Sequence, residues 1–524
     1  MKDGSILISL GLVILILFCG CQSDKKGAVS SDTIIIAIHA EPARLNPLFV
    51  SDSISYALSE LIFRGLTRLD ENMNIKGDIA ESWRILNGGL EIQFKLKKGV
   101  LWHDGKEVNA EDIVFTFAKL SSPDTATPHS SRLGSAKEVK AIDRYTVAVY
   151  YHEPYGSAIE SWSMGILPKH ILEEKDINDS SFDRNPIGSG PYKLKEWVTG
   201  QRLIMESFSE YHNGEPKIKN LVFRVIADSA TRMMEVKSGG IDVMELTPYQ
   251  YSKEIDSAFI TSNYNKYKTG SHRYGFLGLN LLDDRFRERN IRQAISHAID
   301  KDGIINTVIA GLGRRSTGPY PPHAWYYSKN AVDFEYNPQK ALQLLKSGGW
   351  DKGNDGLLRK NGKIFSFTII TNYESKDNLK TAQIIQQNLK AIGIQTEIQS
   401  YEWQTFRHSI INKRQFEAII LSRAYLKDPD IYDLWHSEKT REGEWNFLSY
   451  KNPKVDVLLE KGRKTLEHQK RQKIYNQIHE ILADDLACIF LYDVDLLLLA
   501  HKKIKGITAS QMGFLFNIEG WFLD

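Results

Sequence analysis

Residues 91–117, EIQFKLKKGVLWHDGKEVNAEDIVFTF, constrain the fold more tightly than any other stretch of this chain. Ile92, Phe94 and Leu96 alternate with Gln93, Lys95 and Lys97, the period-2 pattern of a half-buried strand. Gly99 and the Asp104-Gly105 pair supply turn chemistry before a second short extended piece. Asn109 then reads as an N-cap, with Glu111 and Asp112 at the positive end of a helix. The inner face of that helix is expected to be Ile113, Val114 and Phe117. A strand, a tight turn and a capped helix follow from these residues, and none of them is arranged for catalysis.

The part reading LKKGVLWHDGKEVNAEDIVFTF resembles the signature segment of the bacterial extracellular solute-binding proteins, family 5. These are the oligopeptide- and dipeptide-binding receptors of ABC importers. Other segments fall in the order of that family. They include AEPARLNPLFVSDSISYALSELIFRGLTRLD near the start, Ala80-Glu81-Ser82-Trp83, and NPIGSGPYKLKEW at 185–197. The Ile241-Asp242 step after a Gly pair, and Arg292, Ala294, Ile295, Ala298 and Ile299 in an R-x-A-I-x-x-A-I-D pattern, complete the set.

The resemblance implies an α/β fold of the type II periplasmic-binding-protein kind: two lobes, a cleft between them, and an extra subdomain in the first lobe. It places the first lobe at 33–60, 186–270 and 490–524, its subdomain at 61–185 and the second lobe at 271–489. Lobe closure on a ligand is the implied motion.

A length of 524 residues allows one to four domains with large cores. Lys plus Arg number 67 against 65 acidic residues, a net charge of +2, which excludes a general nucleic-acid binder. Aromatic residues make up 10%, which suits either large cores or a cleft with stacking walls. Three cysteines, Cys19, Cys21 and Cys488, rule out a disulfide framework, and no zinc-like spacing or other metal site is present. No cofactor is implied.

An apolar run at 6–18 is too short to span a bilayer and suits a secretory leader. Gly20 before Cys21 resembles a lipoprotein signal, which makes residues 1–20 the signal and Cys21 the lipidated residue; a plain signal peptide or an N-terminal anchor is the alternative. Residues 21–32 then form a polar tether. An exported domain, lipid-anchored to the cell membrane and facing the periplasm or cell exterior, is expected.

Further along, 33–38, 145–151, 221–225, 365–371 and 394–398 read as strands, 54–63, 229–240, 291–309 and 378–392 as helices, and 274–281 as the segment that carries the chain into the second lobe. Helices between strands at this spacing predict βαβ units and a mostly parallel sheet. Gly188-Ser189-Gly190 matches neither a nucleophile elbow nor a phosphate loop, and reads as a structural turn. Residues 351–362, DKGNDGLLRKNG, lack the alternating oxygen ligands and closing Glu of a calcium loop and read as a hairpin. The apolar run near 484–499 is interrupted by Asp493 and Asp495, so it reads as a buried strand returning to the first lobe.

The resemblance also indicates ligand-binding positions: Asp52 and Ser53 in the Val50-Ser51-Asp52-Ser53 loop, Trp403 in the pocket wall, and Arg423, Tyr425 and Asp428 in LSRAYLKDPD. A Trp at 403 is also compatible with a core role. Many peptide-binding members carry Gly-Trp where Leu421-Ser422 stands here, and an aspartate gripping the peptide amino terminus where Tyr425 stands. Arg423 would favour a carboxylate or other anion if it faces the cleft. Asp428 and Asp430 remain, and two roles are open: replacing the missing carboxylate or, for Asp428, neutralising Arg423.

The leading expectation is a monomeric receptor delivering oligopeptides to the membrane-spanning permease subunits of an ABC transporter. Three alternatives stand beside it: an enzyme, for which the scattered His residues supply no constellation; a ligand sensor of the same fold; and a receptor for a nickel chelate, a sugar or another solute.

Overall fold

The strand Thr33–Ile38 lies inside a seven-stranded sheet, with Asn220–Val225 and Val243–Glu245 parallel on its two sides. Arg202–Ser207 and Tyr192–Val198 extend one flank and Leu496–His501 and Tyr264–Thr269 the other, all by antiparallel pairing. The computed structural model describes residues 32–524 apart from Asn72, Ser131, Gly134, Ser135, Ser180, Ser271 and His272. The expectations for the leader, for Cys19 and Cys21 and for the tether through residue 31 lie outside the described residues.

A second, six-stranded sheet runs in the order Gly313–Arg315, Ile489–Val494, Arg273–Leu279, Ala418–Ala424, Ser366–Asn372, Gln395–Tyr401. Only Ser366–Asn372 pairs in parallel with its neighbours there. Both sheets are therefore mixed, which corrects the expectation of a mostly parallel sheet. The helix Lys376–Ala391 carries the chain between the parallel neighbours Ser366–Asn372 and Gln395–Tyr401. Tight reversals such as the turn at Gly200 (φ +69°), and strands entering from the other sheet, run the opposite way.

Two chain segments connect the sheets, one between Thr269 and Arg273 and the other at Asp495. The expected single strand near 484–499 is thus two strands, Ile489–Val494 in the second sheet and Leu496–His501 in the first. Pairing with Arg273–Leu279 continues through Asp493, so the return falls at 495 rather than at 490. The Asp495 carboxylate faces one cation from each side, Lys268 at 3.7 Å and Arg314 at 3.5 Å.

Strands Ala80–Leu86, Glu91–Leu96, Thr146–Tyr151 and Ala136–Asp143 form a four-stranded antiparallel sheet beside the first. The helix Ala110–Ser121 packs on it, capped reciprocally by Asn109 and Asp112 as the sequence predicts. Its fully buried stripe is Ile113, Phe115 and Leu120, while Val114 and Phe117 are half-buried at the margin. Asp112 joins the buried set because its second carboxylate oxygen accepts the Lys169 N–H at 2.9 Å.

His103 of the same motif holds the Gly188-Ser189-Gly190 turn. Its Nδ1 accepts the Gly188 N–H at 3.2 Å and its Nε2 lies 3.0 Å from the Gly190 carbonyl. A Cβ at either glycine would run into the backbone oxygens of Leu61 or Ile62. Ser189 is fully buried, and its hydroxyl has no hydrogen-bond partner among the described residues.

The predicted helix over 291–309 is two helices, Arg289–Ala298 and Lys301–Val308. Asp300 breaks it by accepting the Gly303 N–H at 2.8 Å as the N-cap of the second. Residues 351–364 form the expected hairpin, in three short strands. The molecule is a two-lobed α/β protein of the type II binding-protein fold, with the four-stranded unit as an additional subdomain.

Candidate ligand-binding cleft

Period-2 alternation sorts the end of the second sheet into two faces. Tyr274 stands directly opposite Arg423, and Phe276 opposite Leu421, all on one face. Gly275 and Ser422 fall on the other. Tyr274 is the second residue after the crossing from the first lobe, so Arg423 lies at the end of the sheet nearest the junction.

The Arg423 guanidinium sits over two aromatic rings, 5.9 Å from the centre of Phe276 and 5.1 Å from that of Phe447. Leu434, Trp435, Trp445 and Cys488 line the same pocket. No carboxylate pairs with Arg423 among the described residues.

Tyr425 turns away from this arrangement. It is 8% exposed, its ring lies 4.8 Å from that of Tyr274, and its hydroxyl donates to Asp493 and stands 3.3 Å from Ser316 Oγ. As a wall residue open to ligand it is therefore corrected: a phenol fills space that a short carboxylate would leave, and it seals into the core. Sequence reasoning missed Asp493, noting it only as an interruption in an apolar run. It is 2% exposed, burial pushes its carboxyl up to about 6, and its Oδ2 has no hydrogen-bond partner among the described residues.

Neither roles left open for Asp428 is taken. Arg471 grips it with two hydrogen bonds of 2.8 and 2.9 Å, and the Ser157 hydroxyl of the subdomain donates to it at 2.8 Å. Arg471 also donates to Ser157 Oγ at 2.8 Å, closing a three-member network across the lobes. Asp430 is likewise occupied, accepting from Arg463 Nε at 2.7 Å.

Glu160, one helical turn beyond Ser157, reaches the same cluster. Burial, then the Asp428 charge beside it, hold its carboxyl well above the usual carboxylate range. Burial opposes ionisation of Asp428, but Arg471 outweighs it and keeps that carboxyl low. A second bridge joins Lys427 Nζ to Glu60 at 3.1 Å, with the ammonium 5.2 Å above the Tyr56 ring. Two backbone segments also meet here, Gly156 N–H donating to the Arg463 carbonyl.

On the first lobe, Asp52 and Ser53 are both exposed at the start of helix Ser53–Ile62. The Asp52 carboxylate caps that helix, accepting the Ser55 N–H at 2.8 Å. Tyr56 and Glu60, farther along it, line a hollow with Val50, Phe63 and Met164. Trp403 lies where the chain leaves Gln395–Tyr401, at the carboxyl ends of two parallel strands, where ligands of open α/β sheets collect. It is 39% exposed, touching Phe406 edge-on at 6.3 Å, which removes the core alternative. Its backbone N–H donates to Glu374 at 3.0 Å.

The structure thus brings Lys427 and Asp428 of the second lobe against Glu60 and Ser157 of the first. It leaves Arg423 and Trp403 as exposed or half-buried groups of the second lobe near the sheet's end. The described residues contain no group of three or more His, Cys, Asp or Glu that could hold a metal ion. No helix among them is long and apolar enough to cross a membrane.

Known proteins share this architecture along nearly the whole chain. The oligopeptide-binding protein AppA of Bacillus subtilis is 31% identical over 546 residues, covering 100% of this chain and 99% of that protein. The structure of AppA from Bacillus subtilis with a nonapeptide aligns with a TM-score of 0.80 at 32% identity, covering 94% of this chain and 99% of that one. NikZ from Campylobacter jejuni with Ni(L-His) aligns with a TM-score of 0.83 at 30% identity, covering 94% and 100%. Residues 74–443 match the family model described as "Bacterial extracellular solute-binding proteins, family 5 Middle". With that match spanning more than half of its residues, the chain belongs to the family 5 bacterial extracellular solute-binding proteins.

Proposed function

We propose that this protein is an extracytoplasmic receptor that captures oligopeptides between its lobes and delivers them to an ABC transporter permease. The observation that carries the reading is the direct meeting of the lobes through Lys427–Glu60 and the Asp428–Ser157–Arg471 network. Such a junction closes over a solute and needs no reacting groups, so function rests on binding and closure rather than on covalent chemistry. Whole-length similarity to AppA supports a peptide as the solute. Trp403 and Arg423 act as walls of the cleft, and Asp52 and Ser53 form the facing lip. The lipid anchor at Cys21, the leader before it and a monomeric state belong to the same reading.

A carboxylate-bearing chelate is the second reading, favoured by the likeness to NikZ and by an Arg423 guanidinium that has no carboxylate partner among the described residues. The test is the melting temperature of the domain, refolded from denaturant to strip carried-over ligand. Selective binding to the folded state raises it by mass action, about 2.7 kcal/mol at a hundredfold excess over Kd. A rise with long peptides of varied sequence is the expected result. A rise with nickel–histidine alone would replace the peptide reading.

A further inference from the structure

A guanidinium that has lost part of its water needs either a counter-ion or a ligand that brings one. Among the described residues three cations close to the lobe junction have carboxylate partners, and Arg423 does not. Lys427 has Glu60, Arg463 has Asp430 and Arg471 has Asp428. Arg423 has no carboxylate: Phe276 and Phe447 lie beneath its guanidinium, Trp435 and Trp445 stand around it, and it donates a hydrogen bond to the Tyr274 hydroxyl.

The other ionisable groups of the pocket do not supply the charge. Burial pushes both the Tyr274 phenol and the Cys488 thiol up, so both are neutral at neutral pH. Asn446, also in the lining, is neutral. Aromatic faces favour the cation and hold it in place, but leave its planar N–H edge without an anion.

The geometry points to an anion subsite at Arg423: the ligand presents a carboxylate to its guanidinium, with apolar groups of the ligand against the Phe447 and Trp445 rings. For the ligand class this rests on the peptide reading, so the carboxylate comes from an acidic side chain or from the peptide carboxyl terminus. Arg423 is then a specificity-determining residue, and the subsite discriminates charge rather than length. Planar pairing with two N–H donors is what separates Arg from Lys here.

The experiment uses the refolded, ligand-free protein and isothermal titration with alanine-based nonapeptides. Each peptide carries one Glu at a chosen place or Gln at that place, and each has a free or an amidated carboxyl terminus. Wild type is expected to bind the acidic member of one such pair about tenfold or more tightly than its neutral twin. Loss on Glu-to-Gln exchange identifies a side chain, and loss on amidation identifies the terminus. Arg423→Gln is expected to abolish the difference, and Arg423→Lys to restore only part of it.

Equal binding of all twins by wild type would overturn the subsite while leaving the peptide reading intact, without any variant. A difference that persists in Arg423→Gln would also overturn it. Binding of nickel–histidine but no peptide, lost in Arg423→Gln, would overturn the peptide reading and keep the anion subsite. No binding to any probe would overturn both.

Discussion

Arg423 and Arg471 belong to the same lobe and keep opposite company. Arg471 is 6% exposed and locked to Asp428 and Ser157 by four hydrogen bonds in all, counting the Ser157–Asp428 bond that completes the ring. Arg423 is half-buried and faces aromatic rings, with no carboxylate partner among the described residues. The difference shows how a receptor divides its charges. One cation is consumed in holding two lobes together, and the other is left for the solute.

The strongest way to break that contrast is Arg471→Met. It strands the Asp428 carboxylate beside Glu160 in a buried site, and a loss of about 3–5 kcal/mol in unfolding free energy is expected. Urea unfolding followed by circular dichroism measures it, with coincident probes required before a single free energy is assigned. Arg423→Met in the same assay should cost about 1 kcal/mol or less, since cation–ring contacts and one hydrogen bond to the Tyr274 hydroxyl are lost but no ion pair is. Equal costs for the two variants would erase the distinction.

Ser157→Ala sharpens it from the other side. The Asp428–Arg471 pair survives, but the subdomain loses its hydroxyl at the junction, and ligand affinity should fall by about fivefold for about 1 kcal/mol. Titration with a bound peptide reads this directly, and unchanged affinity would make the Ser157 contact incidental to closure.

The pH dependence follows from Glu160. Its carboxyl is raised where the lobes meet, so the junction gains stability that is fully present below the ordinary Glu range near 4.5. That gain is lost as pH rises through the raised value. Asp493 adds a term of the same sign, lost between its ordinary 3.8 and about 6. Melting temperature should therefore fall across this window as pH increases. Glu160→Gln and Asp493→Asn should each flatten part of the slope, and a slope unchanged in both variants would reject these two groups as its source.

The smallest effect is expected at Trp403. With 39% of the residue exposed, Trp403→Ala should change stability by no more than about 0.5 kcal/mol. Affinity should still drop a few-fold if ligand stacks there. A silent variant in both assays would remove Trp403 from the cleft wall.

Local chemistry was readable in the sequence where it is local in space. The Asn109–Asp112 capping box, the turns at Gly99 and Gly105 and the strand Thr33–Ile38 are each decided by neighbours in the chain. Sheet direction was not, because a strand's partner can lie far away along the chain, as Ile38 and Val225 do. The same holds for charge. Asp428 reads as a neighbour of Arg423, yet its partners come from positions 157 and 471. Asp493 was invisible as a site group because only the fold sets it behind Tyr425.

Asp495 carries a mechanical consequence. It is the one residue between a strand of each sheet, and a single residue spans at most about 3.6 Å. The spine of the molecule therefore has no slack: the lobes can tilt, but they cannot draw apart.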